Sequence, residues 1–102
     1  MSIALLGLGS SIGDRRKNLQ LSIFMLNALP NTQVLSTSSI WGSLPLGVAT
    51  NLFYNAVVRI KTDLPPAVLL NKLQTIEHKM GRKRGIKWSD RIIDIDILLY
   101  DK

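Results

Sequence analysis

Two aspartates, Asp94 and Asp96, are the residues of this sequence whose type and spacing best fit metal chemistry. They alternate with isoleucines, and because side chains alternate along a β-strand, both carboxylates are predicted to leave one face about 6 to 7 Å apart. Two such carboxylates repel each other and favour a bound cation. Oxygen ligands select a hard ion, and Mg²⁺ usually binds one or two carboxylates together with substrate phosphates. From spacing alone, pairing with nearby arginines or simple solvation stays open as the alternative.

A basic segment directly precedes these aspartates. Six of the 13 lysines and arginines fall in positions 79–91: Lys79, Arg82, Lys83, Arg84, Lys87 and Arg91. Guanidinium groups recognise phosphate through paired hydrogen bonds, so arginines beside magnesium carboxylates favour a nucleoside triphosphate. Trp88 adds a flat apolar surface within the same segment. Taken without the carboxylates, a basic segment is more often a solvated surface.

Two further polar residues lie on predicted regular elements. Asn55 stands among apolar residues of a predicted strand beside Phe53, and its amide can both donate and accept hydrogen bonds, as recognition of a flat heterocycle requires. The alternative is that Asn55 ties down the preceding loop. Glu77 falls in the last turn of a predicted helix, where the macrodipole disfavours an anion. We therefore expect a partner for Glu77, with a lysine or arginine of the basic segment as the first candidate.

Length and composition place the chain in one domain of residues 1–102. With 102 residues, 46% hydrophobic and 20% charged, it fits a single globular unit. The absence of cysteine excludes disulfide scaffolds and thiolate zinc sites. No stretch reaches the ~20 apolar residues of a membrane span and no secretory leader is evident, so we expect a cytoplasmic protein with no membrane partner. The net charge of +6 favours an anionic partner.

The hydrophobic pattern predicts the order β-α-β-β-α-β. The predicted strands and helices are residues 2–8, a helix from Asp14 to Pro30, residues 32–41, residues 52–62, a helix from Pro65 to Gly81, and residues 92–100. Right-handed crossovers then favour an α+β, ferredoxin-like sandwich, with a four-stranded antiparallel sheet and both helices on one face. Ile93, Ile95, Ile97 and Leu99 are predicted to pack on the helices. The opposite face is predicted to carry the functional site.

These residues together resemble the 6-hydroxymethyl-7,8-dihydropterin pyrophosphokinase family of folate biosynthesis. The resemblance runs in order along the whole chain. It rests on Gly9-Ser10-Ser11-Ile12-Gly13-Asp14, Ser43-Leu44-Pro45-Leu46-Gly47, Phe53-Tyr54-Asn55-Ala56-Val57-Val58, Glu77, Gly81-Arg82-Lys83-Arg84 and the stretch from Trp88 to Leu99. The Asp-Ile-Asp strand preceded by Trp and Arg is fairly specific, and its combination with the Pro-Leu-Gly loop is strong.

The resemblance implies a magnesium-dependent enzyme that moves the β,γ-diphosphate of ATP to the pterin hydroxymethyl oxygen and releases AMP. Asp94 and Asp96 would hold two Mg²⁺ ions on ATP. Other implied roles fall into three groups: phosphate contact by Arg82, Arg84 and Arg91; nucleotide binding by Glu77, Trp88 and Ile97; and pterin binding by Ser43, Leu46, Phe53 and Asn55.

Two departures from the family pattern define the alternatives. Ser89-Asp90 stands where the family usually has Gly-Pro, which places a carboxylate beside the implied phosphate site. Family members also continue well beyond the position of Lys102. A homologue that binds nucleotide or pterin without efficient transfer is therefore the second hypothesis. A ferredoxin-like RNA-binding domain is the third and is disfavoured, because the predicted first strand lacks the aromatic residues that such domains use, so no nucleic-acid partner is expected.

Overall fold

The computed structural model describes residues 1–44, 52–81 and 92–101 of the chain, and these ranges contain five strands and two helices. In chain order the elements are β1 Ser2–Ser10, α1 Arg15–Asn27, β2 Thr32–Thr37, β3 Trp41–Ser43, β4 Phe53–Thr62, α2 Pro66–Lys79 and β5 Asp94–Asp101. The predicted alternation of strands and helices is confirmed. Within these ranges, no helix combines the length and the hydropathy that a membrane crossing requires.

The strands form one antiparallel sheet in the order β2-β4-β1-β5, with β3 also paired to β4. This is the predicted α+β arrangement, except that the predicted second strand is divided into β2 and β3. Ser38 lies at the division: its N–H donates to the carbonyl of Val57 and its Oγ accepts from the N–H of Val57, both at 2.8 Å. The serine side chain thus replaces a backbone partner, and the sheet has five strands where four were predicted.

Both helices cover the same face of the sheet and enclose one core. Ala4, Leu6 and Leu8 of β1 are buried because they alternate with residues that point to the other face. Leu19 and Leu26 of α1 pack into the same cluster, which also contains the other fully buried apolar side chains Val58, Ile60, Leu69, Leu73 and Ile93. The opposite face of the sheet has no helix against it in the described part of the chain.

Local signals in the sequence set where the helices begin and end. The carboxylate of Asp14 accepts a hydrogen bond from the N–H of Lys17 at 3.1 Å and caps α1, as predicted. Pro66 occupies the first turn of α2, where its missing N–H costs nothing. Gly81, where the predicted helix ends, follows α2 with φ +94°, a left-handed conformation that glycine adopts without a steric penalty.

Because β5 contains a β-bulge, the packing of its last residues differs from the prediction. Ile95 pairs with Leu8 on the helix side, but the register with β1 shifts at Leu98, next to Ile97. Ile93, Ile95 and Ile97 face the core as predicted, whereas Leu99 is 57% exposed on the open face. Tyr100 takes the predicted place of Leu99 in the core, and its hydroxyl donates to the carbonyl of Leu64 at 2.6 Å.

Candidate functional site on the open sheet face

A row of cross-strand pairs crosses the open face at one end of the sheet. Gly9 of β1 lies opposite both Asn55 of β4 and Asp94 of β5, and Asn55 in turn lies opposite Trp41 of β3. Paired residues of neighbouring strands point to the same face, so this row brings candidate side chains from four strands together. Asn55 and Asp94 are two strand spacings apart, about 10 Å at the backbone.

Asp94 and Asp96 leave the same face, as predicted. They pair with Gly9 and Gly7 of β1, and Asp96 is exposed while Asp94 is half-buried. Both glycines lack side chains, and the side chains of Phe53 and Leu98 lie over Gly9 and Gly7 instead. The arginines proposed as alternative partners belong to residues 82–91, which lie outside the described residues.

The donor set of this strand fits a hard divalent ion that is shared with a substrate. Among the described residues, no group of three or more His, Cys, Asp and Glu side chains converges on a possible metal position. A site built on Asp94 and Asp96 would supply two carboxylates, and water and phosphate oxygens could contribute to the rest of the shell. That is the usual way in which Mg²⁺ binds at phosphate-transfer sites.

Glu77 is joined to the strand that carries the aspartates. Its side chain is buried, with 5% exposure, and its Oε2 accepts the backbone N–H of Ile95 at 2.8 Å. This charge-assisted bond offsets the unfavourable position of the carboxylate at the C-terminal end of α2. The partner expected from sequence, a lysine or arginine of the basic segment, belongs to the residues that are not described, apart from the exposed Lys79.

Ile97 lies on the helix side of β5, opposite to the face of the two aspartates. Its side chain is half-buried and packs against the core. Glu77 also lies on the helix side of the sheet, where it accepts the N–H of Ile95. The structure thus places Glu77 and Ile97 on the helix side of β5, separate from the aspartates on the open face.

The residues predicted to frame the pterin lie together at the start of β4. The Asn55 amide donates to Ser43 Oγ at 2.9 Å, to the Trp41 carbonyl at 3.3 Å and to the Phe53 carbonyl at 3.4 Å. A Cβ built on Gly9 would lie 3.3 Å from Cδ1 of Phe53, so the phenyl ring rests against the glycine. The bonds from Asn55 also attach β3 to β4, which supports the alternative, structural role considered for Asn55. The same bonds place Ser43 beside Asn55.

Sequence reasoning missed two side chains that hold the site end of the sheet. Asn18 of α1 donates to Ser10 Oγ at 3.1 Å and to the Ile12 carbonyl at 3.0 Å, which fixes the turn after β1. Arg15 donates from Nη1 to the carbonyl of Leu52 at 2.9 Å. Both residues read as solvated helix positions in the sequence, since polar residues at a helix start usually face water.

The remaining predicted site residues fall outside the described part of the chain. They are Leu46, Arg82, Arg84, Trp88 and Arg91. Their roles stay predictions. The described residues that adjoin them, Leu44, Leu52, Gly81 and Ile92, are joined to the same end of the sheet as Gly9 and Asp94.

Comparison with known proteins identifies a single family. The family model described as 7,8-dihydro-6-hydroxymethylpterin-pyrophosphokinase matches residues 5–101. A 2-amino-4-hydroxy-6-hydroxymethyldihydropteridine pyrophosphokinase from Haemophilus influenzae is 41% identical over 101 residues, which cover 98% of this chain and 63% of that protein. The enzyme of the same name from Bacillus subtilis is 39% identical over 102 residues, covering 99% of this chain and 61% of that protein. The chain thus spans less than two thirds of the length of these curated relatives.

Proposed function

Because the chain belongs to the 7,8-dihydro-6-hydroxymethylpterin-pyrophosphokinase family, we propose that it transfers the β,γ-diphosphate of ATP to 6-hydroxymethyl-7,8-dihydropterin and releases AMP. One observation carries the proposal: Gly9 lies between Asn55 and Asp94 on the open face. A heterocycle recognised at Asn55 and a phosphate chain held at Asp94 would meet along this row, beside the Phe53 ring that rests against Gly9.

The pterin half of the proposed site consists of Ser43, Phe53 and Asn55. The Phe53 ring offers an aromatic surface on which a flat ring can stack. The Asn55 amide is held by three bonds to β3 and β4, so its orientation is fixed before any ligand arrives. Such preorganisation would favour a pose with the hydroxymethyl oxygen toward Asp94, and catalysis would then rest on positioning.

The nucleotide half consists of the carboxylates on the open face of β5 and of residues on its helix side. Asp94 and Asp96 would hold two Mg²⁺ ions, which neutralise charge on the transferred phosphates. Glu77 and Ile97 would line the nucleoside from the helix side of β5, with the Glu77 carboxylate held by its bond to the N–H of Ile95. Arg82, Arg84 and Arg91 would contact phosphates, while Trp88 and Leu46 would cover the nucleotide and the pterin. A cytoplasmic location is part of the proposal, because ATP is held there.

The transfer needs no covalent intermediate with the protein. The hydroxymethyl oxygen bonds to the β-phosphorus of ATP while the bond from that phosphorus to the oxygen bridging the α-phosphorus breaks. The hydroxyl proton leaves and AMP departs with the bridging oxygen. The residues of this chain contribute orientation of the two substrates and electrostatic stabilisation of the charge that develops between them.

The test is an assay of AMP formation from ATP and 6-hydroxymethyl-7,8-dihydropterin with added Mg²⁺. We expect Asp94→Asn and Asp96→Asn each to lower the rate roughly 100-fold or more. Asp101→Asn is the matched control, because Asp101 is exposed on the same strand and pairs with Ile3 at the other end of β1. Calorimetric binding of both substrates without AMP formation by the unsubstituted chain would favour the binding-only homologue. Unchanged AMP release by either site variant would contradict the role of the aspartates.

A further inference from the structure

Arg15 attaches α1 to the first residues of β4 from the helix side of the sheet. Its Nη1 donates to the carbonyl of Leu52 at 2.9 Å, and its guanidinium carbon lies 4.3 Å from the centre of the Tyr54 ring. Leu52 and Tyr54 are the neighbours of Phe53 in the chain. One side chain therefore contacts the backbone of the residue before Phe53 and the ring of the residue after it, and Phe53 itself rests against Gly9 on the opposite face.

The position of Arg15 in its helix indicates that these contacts matter. It is the first residue of α1, and Arg16 and Lys17 follow it with no acidic residue in the first turn. A cation at a helix N-terminus is disfavoured by the macrodipole. A carbonyl acceptor and an aromatic face both attract the guanidinium and offset this cost.

The start of β4 pairs with the ends of two neighbouring strands. In the described part of the chain, Phe53 pairs with Ser43 of the three-residue β3, and Tyr54 lies between Gly42 of β3 and Ser10, the last residue of β1. Strand ends open locally at a lower cost in free energy than strand centres. The two contacts of Arg15 lie where this opening would begin.

We propose that Arg15 is a positioning residue for the pterin half of the site, which sets the affinity for the heterocycle without touching it. The inference rests on the proposed function. Arg15 holds Leu52 and Tyr54, their backbone orients Phe53, and Phe53 presents its ring beside Asn55 on the open face. The nucleotide half on β5 has no such link to Arg15 in the described residues, so nucleotide affinity stays unchanged when Arg15 is replaced.

The experiment compares Arg15→Met with Arg16→Met in the full chain. Arg16 is exposed and makes no hydrogen bond or ion pair within the described residues, so it is a matched control for the loss of one positive charge. Two titrations are made. Binding of 6-hydroxymethylpterin is measured by its own fluorescence in the presence of a non-hydrolysable ATP analogue, and binding of the analogue is measured in the absence of the pterin. Thermal unfolding is recorded for each variant so that binding is measured on folded protein.

We expect Arg15→Met to raise the Kd for the pterin about tenfold, with the Kd for the nucleotide analogue unchanged within a factor of two. Arg15→Lys keeps the charge but loses the flat stacking surface, so it restores only part of the affinity. Arg16→Met leaves both constants unchanged.

The two proposals fail in different ways. If the unsubstituted chain binds neither pterin nor nucleotide, the proposed function is overturned and this inference with it. If the unsubstituted chain binds both, equal pterin affinity for Arg15→Met and Arg16→Met overturns the positioning role alone. A parallel loss of pterin and nucleotide affinity in Arg15→Met also overturns it, because that result shows a general structural role.

Discussion

The Glu77 carboxylate on α2 accepts the N–H of Ile95, the residue that separates Asp94 from Asp96, at 2.8 Å. A buried side chain from the helix layer thus fixes the peptide between the two aspartates on the other face. Ile95 is itself 4% exposed and packed in the core. Both the side chain and the backbone N–H of Ile95 therefore hold β5 in place.

Replacement of Glu77 tests this link between α2 and β5. Glu77→Ala leaves a buried N–H without its acceptor, so we expect the free energy of unfolding to fall by about 1 to 3 kcal/mol in a denaturant titration. Glu77→Gln keeps an oxygen acceptor and should lose less. Gln74→Ala, at an exposed position of the same helix, is the control. Equal stability of Glu77→Ala and Gln74→Ala would mean that the bond does not stabilise the strand.

Hydrogen bonding between Asn55 and Ser43 gives a second prediction. A double-mutant cycle of Asn55→Ala and Ser43→Ala should show a coupling energy of about 0.5 to 1.5 kcal/mol for unfolding, because the two side chains bond directly at 2.9 Å. Asn55→Ala should also weaken pterin binding more than Ser43→Ala does, since it frees the Trp41 carbonyl as well. Strict additivity of the two substitutions would refute the coupling.

Gly9 gives a third prediction, in which stability and binding change in opposite directions. Alanine is more restricted than glycine in the unfolded chain, so Gly9→Ala should stabilise the fold by up to about 1 kcal/mol. Its Cβ would lie 3.3 Å from Phe53 Cδ1, and the ring must therefore shift. We expect weaker pterin binding by fluorescence titration together with an unchanged or higher Tm.

Gly42→Ala is the control for Gly9→Ala. Among the described residues, a Cβ on Gly42 would meet the Phe53 carbonyl at 3.7 Å, an ordinary contact that leaves the ring in place. Pterin binding by Gly42→Ala should match that of the unsubstituted chain. If Gly9→Ala also binds the pterin normally, the contact between Gly9 and Phe53 has no part in recognition.

Asn18 provides the fourth prediction. Asn18→Ala removes the donor to Ser10 Oγ and the shorter of the two bonds to the Ile12 carbonyl in a partly buried turn, which should cost about 1 to 3 kcal/mol of unfolding free energy. The control is Gln20→Ala, at an exposed position of the same helix. Chemical denaturation of both variants measures the difference, and a cost for Asn18→Ala no larger than that for Gln20→Ala would contradict it.

Much of this fold could be predicted because side-chain periodicity is a local property of the sequence. Alternation alone places Asp94 and Asp96 on one face, and the caps at Asp14 and Gly81 follow from residue type. The bulge at Leu98 could not be predicted in this way, since it depends on the register with β1, more than 80 positions earlier in the chain. The exposure of Leu99 is the direct result.

The residues that support the site were harder to predict than the residues proposed to bind the substrates. Asn18 and Arg15 act through hydrogen bonds to backbone carbonyls, and any residue has such a carbonyl, so no sequence pattern marks the partner. The division of β2 from β3 has the same origin, because Ser38 reaches the backbone of Val57. Asn55 was recognised because an amide among apolar strand residues is unusual, whereas an arginine at a helix start is not.

The central place of β1 has a consequence for synthesis of the chain. β1 is made before both of its neighbours in the sheet, β4 and β5, which come from residues 53–62 and 94–101. While the ribosome is still translating, the apolar β1 has open edges that other nascent chains can join. We therefore expect the yield of folded protein in cells to depend more on chaperones that bind the nascent chain than on the stability of the finished fold.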